Sequence, residues 1–252
     1  MISCSKKNGL SEMDSQDHAP WHIAVLIPAR DEEDLLPRCL QSIQAARKLL
    51  PAGVTSDVVV VSDSSQDGTC EIARLILRKD GTVVPTRAGV VGQARALAAE
   101  VALRRYLGPR ERCWLANTDA DCEVPVDWLL SQYRIAQRGV SAVAGIIDVD
   151  SFAEHEDAVA ERFRASYVLH ADGTHPHVHG ANLGVRADAY LRAGGWRHLA
   201  TAEDHDLWAR LRHAGEEGLA DAGLQVLTSG RRVGRAPLGF ARALAAHNGT
   251  AA

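Results

Sequence analysis

Asn117-Thr118-Asp119-Ala120-Asp121-Cys122-Glu123, directly after the apolar run Cys113-Trp114-Leu115-Ala116, is the stretch on which the reading of the fold turns. An apolar run of this kind reads as a buried strand, so the two carboxylates emerge where strand gives way to loop. In open α/β sheets ligands bind at that edge. One small residue separates Asp119 from Asp121. If the loop curls, both side chains can face one hard cation and the phosphates it carries. A solvated turn would use the same residues.

Moving outward, the pattern of strand, polar loop and helix recurs. Ile23-Ala24-Val25-Leu26-Ile27 reads as a strand that Pro28 is expected to stop, followed by Ala29-Arg30-Asp31-Glu32-Glu33-Asp34 and a helix through Leu36, Cys39, Leu40 and Ile43. Acidic residues suit a first helical turn, where the macrodipole is positive. Val58-Val59-Val60-Val61 is a second strand, ending in Ser62-Asp63-Ser64-Ser65-Gln66-Asp67-Gly68-Thr69 ahead of a helix from Cys70 to Arg78. A third strand, Thr82-Val83-Val84, leads through Arg87, Gly89, Gly92 and Arg95 into an alanine-rich helix reaching Tyr106. Repetition of this unit predicts an α/β fold with a mostly parallel central sheet flanked by helices. Arg87 and Arg95 are candidates for phosphate charge, and the two glycines would let backbone approach a ligand.

Downstream, a helix is expected from Pro125 to Arg138, then a strand at Ala142–Ile147. Phe152 to Asp172 reads as one helix rich in Glu, Arg and Ala. Thr201 is placed as the cap of a helix carrying Glu203, Asp204 and Asp206 in its first turn. Leu224–Thr228 is a last strand, trailed by Arg231, Arg232 and Arg235, a plausible diphosphate clamp. His175, His177 and His179 alternate and would share one face of an extended segment. Zinc ligation is one use for them. A polar wall of an acceptor pocket is favoured, because Pro176 and Gly180 suggest an irregular loop and no cysteine joins the set.

The 252 residues, 46% hydrophobic and 24% charged, suit a soluble globular protein with a sizeable core. A formal net charge of -4 gives no basic footprint for nucleic acid. No apolar stretch approaches the roughly 20 residues that span a bilayer. Residues 1–20 lack an apolar signal-peptide core and are expected to be a disordered leader. Five scattered cysteines, Cys4, Cys39, Cys70, Cys113 and Cys122, fit reduced thiols and a cytoplasmic location. Residues 21–236 are expected to form one catalytic domain, with a nucleotide half over 21–122 and an acceptor half over 123–236, and 237–252 to be a tail.

Five motifs, Ile27-Pro28-Ala29-Arg30-Asp31-Glu32, Ser62 to Thr69, Asp119-Ala120-Asp121, Gly180-Ala181-Asn182 and Glu203-Asp204, stand in the order and spacing of family-2 glycosyltransferases. The resemblance covers roughly residues 22 to 235. It implies the GT-A fold, inversion at the anomeric carbon, a nucleotide-diphosphate sugar donor, and Mg or Mn as cofactor. It further implies that Pro28, Ala29 and Glu32 hold the nucleoside and that Asp63 accepts a hydrogen bond from the base. Asp119 would lie by the ribose and metal, Asp121 would ligate the metal, and Asp204 would be the general base. Arg30 and Arg95 are expected on the nucleotide side, Glu203 beside the base, and His179, Gly180, Asn182, Arg231 and Arg235 around the acceptor and diphosphate. Two positions depart from the family. It usually has asparagine at Asp31, and where many members supply a late histidine to the metal, His247 is the one candidate after Arg235. Glu123 is an outside candidate for an extra ligand. Relatives often continue into membrane segments, so the acceptor is expected to be soluble or met at a membrane surface through a partner. The enzyme alternative is a nucleotidyltransferase, disfavoured because the acidic loop after the first strand has no glycine. The other is a non-catalytic nucleotide-sugar-binding protein, disfavoured by the presence of both Asp121 and Asp204.

Overall fold

The computed structural model describes residues 19–236 and 239–249. Most of the expected leader, with Cys4, lies outside them. Seven strands form one sheet: β1 (His22–Ala29), β2 (Thr55–Asp63), β3 (Thr82–Thr86), β4 (Cys113–Asn117), β5 (Ala142–Val149), β6 (Leu183–Arg186) and β7 (Gly218–Thr228). Their order across the sheet is β3-β2-β1-β4-β6-β5-β7. Every pairing is parallel except the two that β6 makes, with β4 and with β5.

The apolar runs are strands because both sheet faces are covered. Ile23, Val25, Ile27, Val58 and Val60 pack on one side against α1 (Leu36–Arg47), α2 (Thr69–Leu77) and α4 (Trp128–Gln137). Ala24, Leu26, Val59 and Val61 face the other way, onto α3 (Val91–Arg105) and the later helices α6 (Ala187–Arg192) and α7 (Glu203–His213). Period-2 alternation with both sets of neighbours apolar yields the uninterrupted runs of the sequence. The small residues of α3, Ala94, Ala98 and Ala102, let that helix lie close to β1 and β2.

Three local expectations are corrected. Pro28 does not stop β1, which continues to Ala29 in register with Ser62. Leu26 O accepts from Thr118 on the β4 side, so Pro28, two residues on, turns its ring nitrogen to the side where pairing with β4 has ended at Leu26. Phe152 to Asp172 is not one helix, since α5 is confined to Val159–Ser166. It ends where Tyr167 turns extended at φ -86 and ψ 104, its hydroxyl accepting from the Ile147 N–H, and Asp172, Gly173 and Thr174 form a separate turn further on. Finally, Thr201 is not the cap of α7. Ala202 occupies that place, left-handed at φ 56, without a side-chain cap bond.

Beyond the last strand, the stretch expected as a tail carries α8 (Phe240–Ala245). Its Leu244 is fully buried with Val149, Val159 and Phe163. Among the described residues, no helix is long and apolar enough to cross a membrane.

Candidate active site

The antiparallel strand β6 determines what meets at the edge of the sheet. Parallel strands β1, β2, β4, β5 and β7 all end there, and β6 begins there. The loop after β4 thus comes to face the short turn Gly180–Asn182 that opens β6. A cleft of about 610 Å³ runs along this edge. Pro28, Ala29, Arg30, Glu32 and Asp63 line one end. Asp119 and Asp121 lie on its floor, with His179, Gly180, Glu203 and Asp204 at the other end and Arg231 and Arg235 above.

At the first end, Asp63 is buried and held on several sides. Arg30 Nη2 bonds its Oδ2 at 3.0 Å, and the N–H of Gly89 reaches both of its oxygens at 3.0 Å. Gly89 adopts φ +78, the left-handed conformation that glycine enters without a Cβ penalty, and this aims the N–H inward. Arg87 is exposed and does not line the cleft. Asp31 is also left-handed, at φ 51, and its Oδ1 accepts from Gln66 N–H at 2.7 Å. That side chain staples two loops together, a local use consistent with an Asx residue tolerating this conformation.

On the floor, the two loop carboxylates meet different partners. Asp119 Oδ1 is 2.6 Å from Arg95 Nη2, while Asp121 Oδ2 is 2.7 Å from Arg231 Nη2. Arg231 also embraces Glu32, with Nη1 at 2.9 Å and Nη2 at 2.5 Å from its two oxygens. One guanidinium therefore serves two carboxylates, Glu32 buried and Asp121 half-buried. Burial pushes the Asp121 carboxyl up against the pull of Arg231, and the charges of Asp119 and Glu32 add to the rise. Arg235 donates to the carbonyl of Asp31 and stands 3.9 Å from Glu32 Oε1, a longer ion pair than that of Arg231. Glu123 points to Arg38, 3.7 Å away, and does not line the cleft.

Arg95 joins the two ends. It is 2% exposed, pairs with Asp119 and, through Nε at 3.1 Å, with Glu203, and lies over the ring of Trp196. Burial alone would lower its pKa, but Asp119, Glu203 and Asp204 together hold the charge firmly. Burial likewise pushes Glu203 up, opposed by Arg95. Gly180 is glycine for a steric reason, because a Cβ there would stand 2.5 Å from Arg95 Nη2. Asp204 differs from every other carboxylate in the cleft. Its oxygens accept from the N–H groups of Gly180 and His205, each at 2.8 Å, and among the described residues no guanidinium forms an ion pair with it.

Asn182 is near the cleft but not part of it. It is fully buried, accepts from Trp128 Nε1 at 2.9 Å, and donates to the carbonyls of Ile146 and Leu224, both at 2.8 Å. His247 stands against Phe163 in the α5–α8 cluster and is absent from the cleft lining. The three alternating histidines do share a face, with neighbouring ring centroids 5.9 and 6.0 Å apart. Their Nε2 atoms go to three separate partners, the Ala144 carbonyl, the Val168 N–H and the Tyr167 hydroxyl. No group of three or more metal-ligating side chains is placed to hold an ion among the described residues. Gly89, expected to let backbone approach a ligand, does line the cleft, whereas Tyr167 and Trp196 are the site neighbours that sequence reasoning missed. Tyr167 lies inside a stretch that reads as continuous helix, and no spacing rule marks Trp196.

The fold is shared with solved glycosyltransferase structures. Mannosyltransferase PcManGT from Pyrobaculum calidifontis, in complex with GDP-Man and Mn2+, superposes with a TM-score of 0.61 at 21% identity, over 87% of this chain and 61% of that one. S. aureus TarS 1-349, also solved in complex with UDP, gives 0.58 at 16% identity, over 82% of this chain and 60% of that one. The chain thus spans about three fifths of the length of these structures. Among curated proteins none matches it. The α/β sheet is that of the GT-A fold. The family model described as glycosyl transferase family 2 matches residues 24–192, more than half of the 252, and the chain belongs to that family.

Proposed function

We propose that the protein is a divalent-cation-dependent, inverting glycosyltransferase that moves a sugar from a nucleotide-diphosphate sugar to an acceptor hydroxyl by direct displacement. The observation that carries this reading is the contrast among the cleft carboxylates. Asp63, Glu32, Asp119, Asp121 and Glu203 each face an arginine, whereas Asp204 is held by backbone N–H groups alone among the bonds described above. A carboxylate oriented by N–H groups keeps lone pairs for a proton, which is what a general base needs.

Asp63 and the β1 end supply a pocket with carboxylate acceptors for a base and ribose. Arg231 and Arg235 lie over the place where a diphosphate would sit, and Arg231 can exchange carboxylate for phosphate in the same forked geometry. Mg or Mn suits the floor, because its donors are hard carboxylate oxygens and a single arginine serves both Asp121 and Glu32. Asp121 and Asp119 would hold the ion, and with no third side-chain ligand placed there among the described residues the diphosphate oxygens would complete its shell. Bound there, the cation stabilises charge developing on the departing diphosphate. GDP-Man with Mn2+ on PcManGT, and UDP on TarS, are precedents for such ligands on this fold. Attack and departure occur on opposite faces of the sugar carbon, so no enzyme nucleophile is required. The deciding experiment is Asp204→Asn assayed against a panel of sugar nucleotides. Nucleoside diphosphate binding should persist while metal-dependent donor turnover falls by about 10²–10⁴-fold, the usual worth of a positioned base. A fully active variant would sink the assignment.

A further inference from the structure

The hydroxyl of Tyr167 touches the histidine row from outside it, and its bonding decides where a proton sits. The Tyr167 oxygen accepts from the Ile147 N–H at 3.1 Å and lies 2.8 Å from His179 Nε2. A phenol has one hydrogen. With Ile147 already donating to the oxygen, that hydrogen is satisfied by pointing at Nε2, which must then be the unprotonated nitrogen. The reverse arrangement would put two donors on the phenol oxygen and leave its own hydrogen without a described acceptor. In neutral imidazole the proton then belongs to Nδ1. Burial holds the ring neutral by pulling His179 down to about 4.

Nδ1 makes no hydrogen bond among the described residues and is not among their buried unpartnered atoms. His179 lines the cleft. It immediately precedes Gly180, whose N–H holds Asp204 Oδ2, and it is near enough to feel the charge of Asp204. His179, a neutral N–H donor, and Asp204, a carboxylate acceptor, therefore line the same cleft on either side of the Gly180 N–H contact. Two oxygens on adjacent carbons match that pair, one giving its proton to Asp204 and its neighbour accepting from the imidazole.

We propose that Tyr167 locks His179 as the Nδ1–H tautomer and that this N–H binds a second acceptor oxygen beside the attacking hydroxyl, selecting acceptors that carry a vicinal diol. Tyr167 is then a positioning residue, and His179 a specificity contact. The inference rests on the glycosyl-transfer reading for its substrate half only.

The test has two arms. In nitrogen-15 NMR at pH 7, the His179 resonances, assigned by their loss in His179→Gln, should show protonated Nδ1 and bare Nε2, and Tyr167→Phe should move them towards a mixture. A protonated Nε2 in the wild-type protein overturns the proposal whether or not any donor is turned over. The second arm compares 1,2-propanediol with 1-propanol as surrogate acceptors, scored against donor hydrolysis by water. Wild type should favour the diol by about tenfold, the scale of one well-made hydrogen bond. His179→Asn, whose amide can stand in for Nδ1–H, should keep part of that preference. His179→Gln and Tyr167→Phe should lose it, each variant's diol-to-propanol ratio being scored against that variant's own hydrolysis of donor by water. Equal use of the two alcohols by wild type, or an unchanged ratio in Tyr167→Phe, refutes the inference. If no sugar nucleotide is hydrolysed at all, the transferase reading has failed instead. The diol titrated against the labelled protein then decides, because it must shift Nδ1 where 1-propanol does not.

Discussion

Replacing Asn182 by aspartate separates a structural role from a role in the cleft. The two side chains are nearly isosteric, so Trp128 Nε1 keeps its acceptor. The amide nitrogen becomes an oxygen facing the carbonyls of Ile146 and Leu224, both 2.8 Å away and out of reach of solvent. The perturbation strips two buried carbonyls of their donor and sets a third acceptor against them. Each stranded buried group costs about 1–3 kcal/mol, so a loss of about 3 kcal/mol or more is expected at pH 7.5. Against a total stability of about 5–15 kcal/mol that is a large fraction. The sign of its pH dependence follows from the same contacts. The folded site disfavours the charged carboxyl, so its folded pKa is raised above the unfolded value. The variant therefore recovers stability as pH falls, a protonated carboxyl returning one of the two donors. Urea unfolding at pH 7.5 and pH 5 measures both quantities. Molecules that remain folded should turn over donor normally, because Asn182 does not line the cleft. A loss below about 1 kcal/mol, the net worth of a single ordinary hydrogen bond, would refute the reasoning, as would a loss that ignores pH.

Three further outcomes are expected. Asp121→Ala should abolish the Mn-dependent part of nucleoside diphosphate binding in calorimetry, and equal binding with and without Mn in both proteins would count against the cation site. Arg95→Met should cost about 3–5 kcal/mol, because it leaves the charge of buried Glu203 uncompensated. Adding Glu203→Gln should restore more than about 1 kcal/mol of this in a double-mutant cycle, and strict additivity would deny the pairing. His179 is held neutral, its pKa lowered from 6.5 to about 4 by burial. Between those values the unfolded chain takes up a proton that the folded ring refuses, so stability is lost as pH falls, by up to about 3 kcal/mol at 1.36 kcal/mol per unit. His179→Gln should flatten that part of the denaturation profile, and an unchanged slope would place the titration elsewhere.

The parallel half of the molecule was legible because its strands are buried on both faces and so appear as apolar runs. Val58 to Val61 needs no tertiary information to be read. The acceptor half was less legible. β6 is four residues long, and nothing in Leu183–Arg186 says that it runs antiparallel between β4 and β5. Composition favoured helix from Phe152 to Asp172, whereas the chain turns extended at Tyr167, whose hydroxyl meets the Ile147 N–H of β5, a long-range contact that a helical average does not count. Thr201 had the chemistry of a cap but stands one place before the left-handed Ala202 that fills the position. At the site, the motif residues were identifiable by type and order, but their partners were not. That Arg95 reaches both Asp119 and Glu203 depends on how α3 lies beneath the cleft, a long-range fact. Asn182 resembled a site residue by its motif, and its burial reveals a packing role.

The paired arrangement of charges also bears on the order of binding. The Asp121 carboxylate and both oxygens of Glu32 are committed to Arg231. A lone divalent ion arriving there would find Asp119 and Asp121 each bonded to a guanidinium that a second carboxylate shares, and would compete with both arginines for their oxygens. A diphosphate arriving with the ion would change that balance, because Arg231 could turn its fork from the carboxylates to phosphate oxygens. Asp121 would then be free to hold the cation, whose charge would offset the rise in pKa that burial and its acidic neighbours impose on it. Cation and donor should therefore bind as a unit, with the affinity of either alone well below that of the pair.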